Sequence, residues 1–84
     1  MMLPTNLSSL KVGEAAVIDH LMAETNLHQR LLALGIRPGR QVSLLRKAWF
    51  SGPLHLRVGT TELMLRYQDA QRVHVRTVGR EVEE

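Results

Sequence analysis

Eighty-four residues, 44% of them hydrophobic and 23% charged, make one small domain, of a size that buries only about 60% of the surface its unfolded chain exposes. Cysteine is absent, which excludes disulfides, thiolate catalysis and every cysteine metal site. Eleven Lys and Arg against eight Asp and Glu leave a net charge of +3, spread along the chain and not gathered in a tract, which argues against nucleic acid as the main partner. No apolar run approaches the ~20 residues of a membrane span. The first five residues, Met1-Met2-Leu3-Pro4-Thr5, lack the basic start and apolar stretch of a secretion signal. A cytoplasmic location without membrane insertion is expected.

In chain order, Asn6 to Gly13 reads as one short helical or 3₁₀ turn. Ser8 and Ser9 serve its cap, Leu7 and Leu10 plug the core, and Gly13 stops it. Residues 14–22 are rich in β-branched and small side chains and predict the first strand, with Ala15, Val17 and Leu21 inward. Val17 and Ile18 cannot both face one core, so a bulge is expected near Asp19-His20.

The next element is a short helix at about 25–34, started by a capping box with Asn26 as cap and Gln29 three residues on, Thr25 being nearly as good a cap, so that the helix starts at 25 or 26. On a helical wheel Leu27, Leu31 and Leu34 form one stripe and Leu32 points away from it. Leu32 is covered by a second part of the core, or it belongs to an apolar groove where a partner docks. The helix must end at Gly35, whose left-handed backbone lets Ile36 fold back on Leu31, with the Ile36 and Gly35 amides turned onto the Leu31 and Leu32 carbonyls. Pro38 forbids continuation, and Arg37-Pro38-Gly39-Arg40 reads as a tight turn with glycine at the position that needs positive φ.

From Gln41 the period becomes two. Val42 and Leu44 alternate with Ser43, and Leu45 to Ala48 carry the strand outward to Trp49 and Phe50, the only Trp and Phe in the chain. Ser51-Gly52-Pro53 is a loop signal, so the two rings either close the end of a barrel or form a binding element on a loop tip. Leu54, Leu56 and Val58, then Leu63 and Leu65, make an antiparallel hairpin around Gly59-Thr60-Thr61. Tyr67 to Ala70 fits a 3₁₀ turn, and Val73 and Val75 mark the last strand. The expected architecture is mainly β: a small, partly open antiparallel barrel of about five strands with one short helix and single-turn corners. Residues 1–78 are assigned to a single domain and residues 79–84 to a flexible acidic tail. The expected core is Val17, Leu27, Leu31, Leu34, Ile36, Val42, Leu44, Leu56, Val58, Leu63, Leu65, Val73 and Val75.

The order Leu7-Ser-Ser-Leu10-Lys-Val-Gly13, Arg30-Leu-Leu-Ala-Leu-Gly-Ile-Arg-Pro-Gly39, Gly52-Pro53-Leu54, Leu65-Arg66 and Asp69-Ala70 resembles the ferrous iron transport protein A (FeoA) family over residues 5–76. The resemblance implies a cytoplasmic SH3-like barrel that assists a GTPase-containing membrane importer of Fe²⁺, and a fold shared with the C-terminal domain of iron-dependent repressors. It brings no catalytic residues. Gly13, Gly35, Pro38, Gly39 and Pro53 are its fold-determining turns.

No P-loop spacing is present, and no nucleophile stands at a recognised spacing from a base, so the chain is not expected to be an enzyme. The candidate partner surface is Leu32, Trp49 and Phe50 with a basic rim of Arg46 and Lys47. His20, Glu24 and His28 are the only cluster in the sequence suited to a weak divalent site for Fe²⁺ or Zn²⁺, and no cofactor is required. The first reading is thus an accessory protein docking on the cytosolic part of a ferrous iron transporter, with room for a weak homodimer. The rivals are a barrel that binds nucleic acid through Arg46, Lys47, Arg57, Arg72 and Arg76, and a divalent-metal sensor built on His20.

Overall fold

The alternating stretches fold into six antiparallel strands, one more than the sequence announces. The computed structural model describes residues 3–77, and the expected acidic tail lies outside them. The strands are β1 (Leu3–Asn6), β2 (Ala15–Leu21), β3 (Gln41–Lys47), β4 (Leu54–Val58), β5 (Thr61–Leu65) and β6 (Val73–Thr77), in the sheet order β1-β6-β2-β3-β4-β5. β1 pairs antiparallel with β6, Thr5 opposite Val75. It escapes sequence reading because a four-residue edge strand containing Pro4 has no alternation to detect.

Two helices, α1 (Thr25–Ala33) and α2 (Tyr67–Ala70), and a 3₁₀ turn at Leu7–Ser9 make the corners. Leu7, Leu10, Ala16, Ile18, Leu31, Ile36, Leu44, Leu54, Leu56, Val73 and Val75 are almost wholly buried in one cluster, against which Leu27 packs while half-buried. At roughly 1.5–3 kcal/mol for each large side chain taken out of water, this cluster is what makes a nine-residue helix such as α1 stable.

Two members of the expected core are displaced. Ile18, not Val17, points inward, and the register of β2 on β6 then shifts between Ile18 and His20, so the expected bulge is present and passes Asp19 over. Leu34 is 42% exposed because it is the C-cap residue, where the helical stripe has already left the core.

The caps differ from expectation in detail. Glu24 is the N-cap of α1 and makes no side-chain bond, so Thr25 and Asn26 are both inside the helix. The 3₁₀ turn is capped by Asn6, whose side chain accepts from the Ser8 amide at 2.9 Å. Residues Tyr67–Ala70 close as a single α-helical turn in place of a 3₁₀ one.

The end of α1 follows the sequence closely. Ile36 donates to the Leu31 carbonyl and Gly35 to the Leu32 carbonyl, both at 3.0 Å, with Gly35 at φ +94°. Gly39 at φ +90° lets the Arg40 amide return to the Arg37 carbonyl at 3.1 Å. The turn is then tied to β2, since Gly39 donates to the Ile18 carbonyl (2.7 Å) and Ile18 to the Arg40 carbonyl (2.9 Å). Helix end, turn and strand are one hydrogen-bonded unit that starts β3 in register.

Candidate docking surface

β3 enters the site with Val42 and Leu44 buried, then slips by one residue against β4 between Leu44 and Arg46. After the slip Arg46 stands opposite His55 and Lys47 opposite the buried Leu54. The consequence splits the expected basic rim. Lys47 turns its ammonium onto the Leu10 carbonyl at 2.9 Å, a strap between β3 and the segment after the 3₁₀ turn. Arg46 is exposed and in no salt bridge among the described residues.

Beyond Lys47 the chain reverses over two residues. Ala48 donates to the Pro53 carbonyl and Gly52 to the Trp49 carbonyl, each at 3.1 Å, leaving Phe50 and Ser51 as the central pair. Both have positive φ, 55° and 58°, the backbone that a type I′ hairpin turn requires. Gly52, legible in the sequence only as part of a loop signal, has a steric role here. A Cβ there would stand 2.7 Å from the Ala48 Cβ, so only glycine lets the two arms of the tip close. Its signal was present in the Gly-Pro step ahead of β4.

The turn holds Trp49 85% exposed and Phe50 98% exposed, ring centroids 6.5 Å apart and planes tilted by 45°. Neither ring closes the barrel. Two aromatic side chains in water leave unrealised roughly the 1.5–3 kcal/mol that burying each would supply. Leu32 is not part of this surface. It sits half-buried on α1 in a hollow with Ala23, Thr25, His28 and Gln29, and no tip residue lines that hollow.

The structure does not gather His20, Glu24 and His28, and no group of three or more His, Asp or Glu suited to a metal occurs among the described residues. Glu24 is the helix N-cap residue, its backbone carbonyl accepting the His28 amide at 2.8 Å. His20 has its Nδ1 2.9 Å from Asp19 Oδ2, while Arg76 reaches Asp19 Oδ1 at 2.9 Å. The hydrogen bond with His20, helped by Arg76, holds the Asp19 carboxyl below its ordinary value of 3.8. On the β4–β5 hairpin Glu62 lies 3.3 Å from Arg57 and 3.0 Å from His55, and its carboxyl is likewise held below 4.5, first by the Arg57 hydrogen bond. Arg57 and Arg76 are thus engaged within the sheet, which weakens the nucleic-acid reading.

Six antiparallel strands curling over one core, with a helix tucked into the β2–β3 connection, define a small SH3-like domain with a protruding hairpin tip. A family model described as the FeoA domain matches residues 5–77, so the chain belongs to the FeoA family, which is associated with ferrous iron transport. An iron uptake regulatory protein, FeoA, superposes with a TM-score of 0.85 at 25% identity, over 90% of this chain and 100% of its own. FeoA of Stenotrophomonas maltophilia, a procaryotic SH3 domain protein solved with zinc and described as a candidate activating factor of ferrous iron transport, has a TM-score of 0.75 at 32% identity, over 84% of this chain and 88% of its own. IdeR of T. acidophilum shares the fold alone, with a TM-score of 0.77 at 17% identity over 88% of this chain and 34% of its own. No curated protein matches the chain by sequence. No described helix is long and apolar enough to cross a membrane.

Proposed function

We propose that this chain is a cytoplasmic, non-catalytic accessory protein of ferrous iron uptake, and that it docks through the β3–β4 tip on the cytosolic part of a GTPase-containing Fe²⁺ transporter. The observation that carries the reading is the Trp49–Phe50 pair, held in water by a turn whose residues are poor formers of that turn. Aromatic residues that become fully desolvated are the usual anchors of an interface, and the exposed Arg46 supplies a charged rim. Membership of a ferrous iron transport family supports the choice of partner, as does the activating role suggested for the S. maltophilia protein. The Leu32 hollow is a separate apolar depression and serves as the internal control.

The test is capture of the transporter from gently solubilised membranes on the tagged chain. Trp49→Ala is expected to weaken capture at least 30-fold, about 2 kcal/mol, while shifting the unfolding midpoint little. Leu32→Asp should leave capture intact. Undiminished capture by Trp49→Ala, or loss confined to Leu32→Asp, moves the docking surface to α1.

A further inference from the structure

The outer face of β2 and β6 carries side chains that the docking tip does not use. His20 and His74, 54 positions apart in sequence, stand directly opposite in the β2–β6 register. Their rings are stacked, centroids 4.6 Å apart and planes within 4° of parallel. His20 stands beyond the residues of β2 that pair with the start of β3, which puts it at the end of β2 remote from the tip.

Chemistry, more than proximity, marks this pair. Nδ1 of His20 faces the Asp19 carboxylate at 2.9 Å, and that carboxylate is fixed from its other oxygen by Arg76. An imidazole that gives its Nδ1 proton to a carboxylate keeps a free lone pair on Nε2, and this is how metal-ligating histidines are usually held in tautomer and orientation. The Arg76 charge offsets that of Asp19, so the carboxylate orients the ring without itself being free to compete as a ligand. Tetrahedral coordination at about 2.0–2.1 Å from each nitrogen sets the two nitrogens about 3.3 Å apart. The parallel stack does not itself converge on one point; His20 keeps its bond to Asp19, and a turn of the His74 ring about its last side-chain torsion, which is soft for histidine, is what would bring a His74 nitrogen toward the free Nε2 of His20.

We propose that His20 and His74 form a two-imidazole site for a divalent transition cation of the zinc and nickel type, with Asp19 and Arg76 as positioning residues and the remaining coordination positions left to water. It shares only His20 with the cluster expected from sequence. Imidazole donors bind these ions more tightly than Fe²⁺, which stands lower in the order of affinities.

Calorimetric titration of the full-length chain with Zn²⁺ at neutral pH tests it. One ion per chain is expected, with affinity in the micromolar range; His20→Ala and His74→Ala should each weaken it at least tenfold, and His28→Ala and His55→Ala should not. Melting of each variant in metal-free buffer shows that it is folded. Independently, Ni²⁺ added to the unaltered chain should broaden the imidazole proton resonances of His20 and His74 before those of His28 and His55. Uniform broadening of all four, or unchanged Zn²⁺ affinity in His74→Ala, overturns the proposal.

Discussion

Strand β4 is entered and left through two-residue turns, and the two are built on opposite choices. Between β4 and β5 the pair Val58–Thr61 closes around Gly59-Thr60, with glycine taking φ +63° at the position that calls for it. Between β3 and β4 the same reversal is made by Phe50 and Ser51, both in the left-handed region at a cost of about 1–2 kcal/mol per residue. Asn-Gly would make that turn with little strain. Where connecting two strands is the whole task, the chain uses turn residues; at the tip it keeps an aromatic ring in a conformation that opposes it. Strain retained at an exposed position points to what the turn presents, not to how it closes.

The contrast can be broken first at the glycines. Gly52→Ala places a Cβ against Ala48 and 3.1 Å from the Trp49 carbonyl, and is expected to cost about 2 kcal/mol in urea unfolding. Gly59→Ala meets only the end of the flexible Arg40 side chain, so its cost should be that of the backbone alone, about 1 kcal/mol. Equal losses would mean that the tip is not sterically closed.

The double change Phe50→Asn with Ser51→Gly sharpens the comparison by making the tip resemble an ordinary turn. Stability should rise by about 1 kcal/mol while transporter capture falls. A rise in both would remove the argument that strain marks the docking element.

The smallest effect is electrostatic and lies on the other hairpin. Because Arg57 and His55 hold the folded Glu62 carboxyl below 4.5, its contribution is complete above that value and is lost as pH falls through the lowered one. Thermal melts from neutral to acid pH should therefore show a shallower acid-side decline for Glu62→Gln than for the unaltered chain. The tip, which has no such pair among the described residues, should not respond.

What the sequence discloses and what it hides divide along the range of the interactions. The end of α1 was legible because the Gly35 and Ile36 amides, Pro38 and the positive φ of Gly39 act on neighbours within five residues; the bond from Gly39 across to Ile18 on β2 was not. Alternation in β3, β4 and β6 was legible for the same reason. Val17 against Ile18 was not, since two adjacent β-branched residues suit either face and the choice is made by β6, more than fifty residues on. The start of α1 at 25 was legible but its cap was not, because three consecutive residues, Glu24, Thr25 and Asn26, can all occupy a boundary, and Asn26 can cap only if the chain leaves the helix there. Of the candidate surface, the aromatic pair was visible and its exposure was not. Whether a ring at a strand end folds inward depends on the turn geometry that Gly52 permits. The His20–His74 stack had no sequence signal at all, as only strand pairing brings it about.

A last consequence follows from the ends of the sheet. An open β-sheet has two free margins, and an exposed margin is where a second chain can add a strand and begin an aggregate. Here one margin is β1, four residues long and containing Pro4, whose backbone has no N–H to offer an incoming strand. The other is β5, with exposed Thr61, Glu62 and Met64. The domain is therefore asymmetric in its resistance to self-assembly: the proline side lacks one of the donors an added strand needs, and the tendency to stack at high concentration should run mainly through β5.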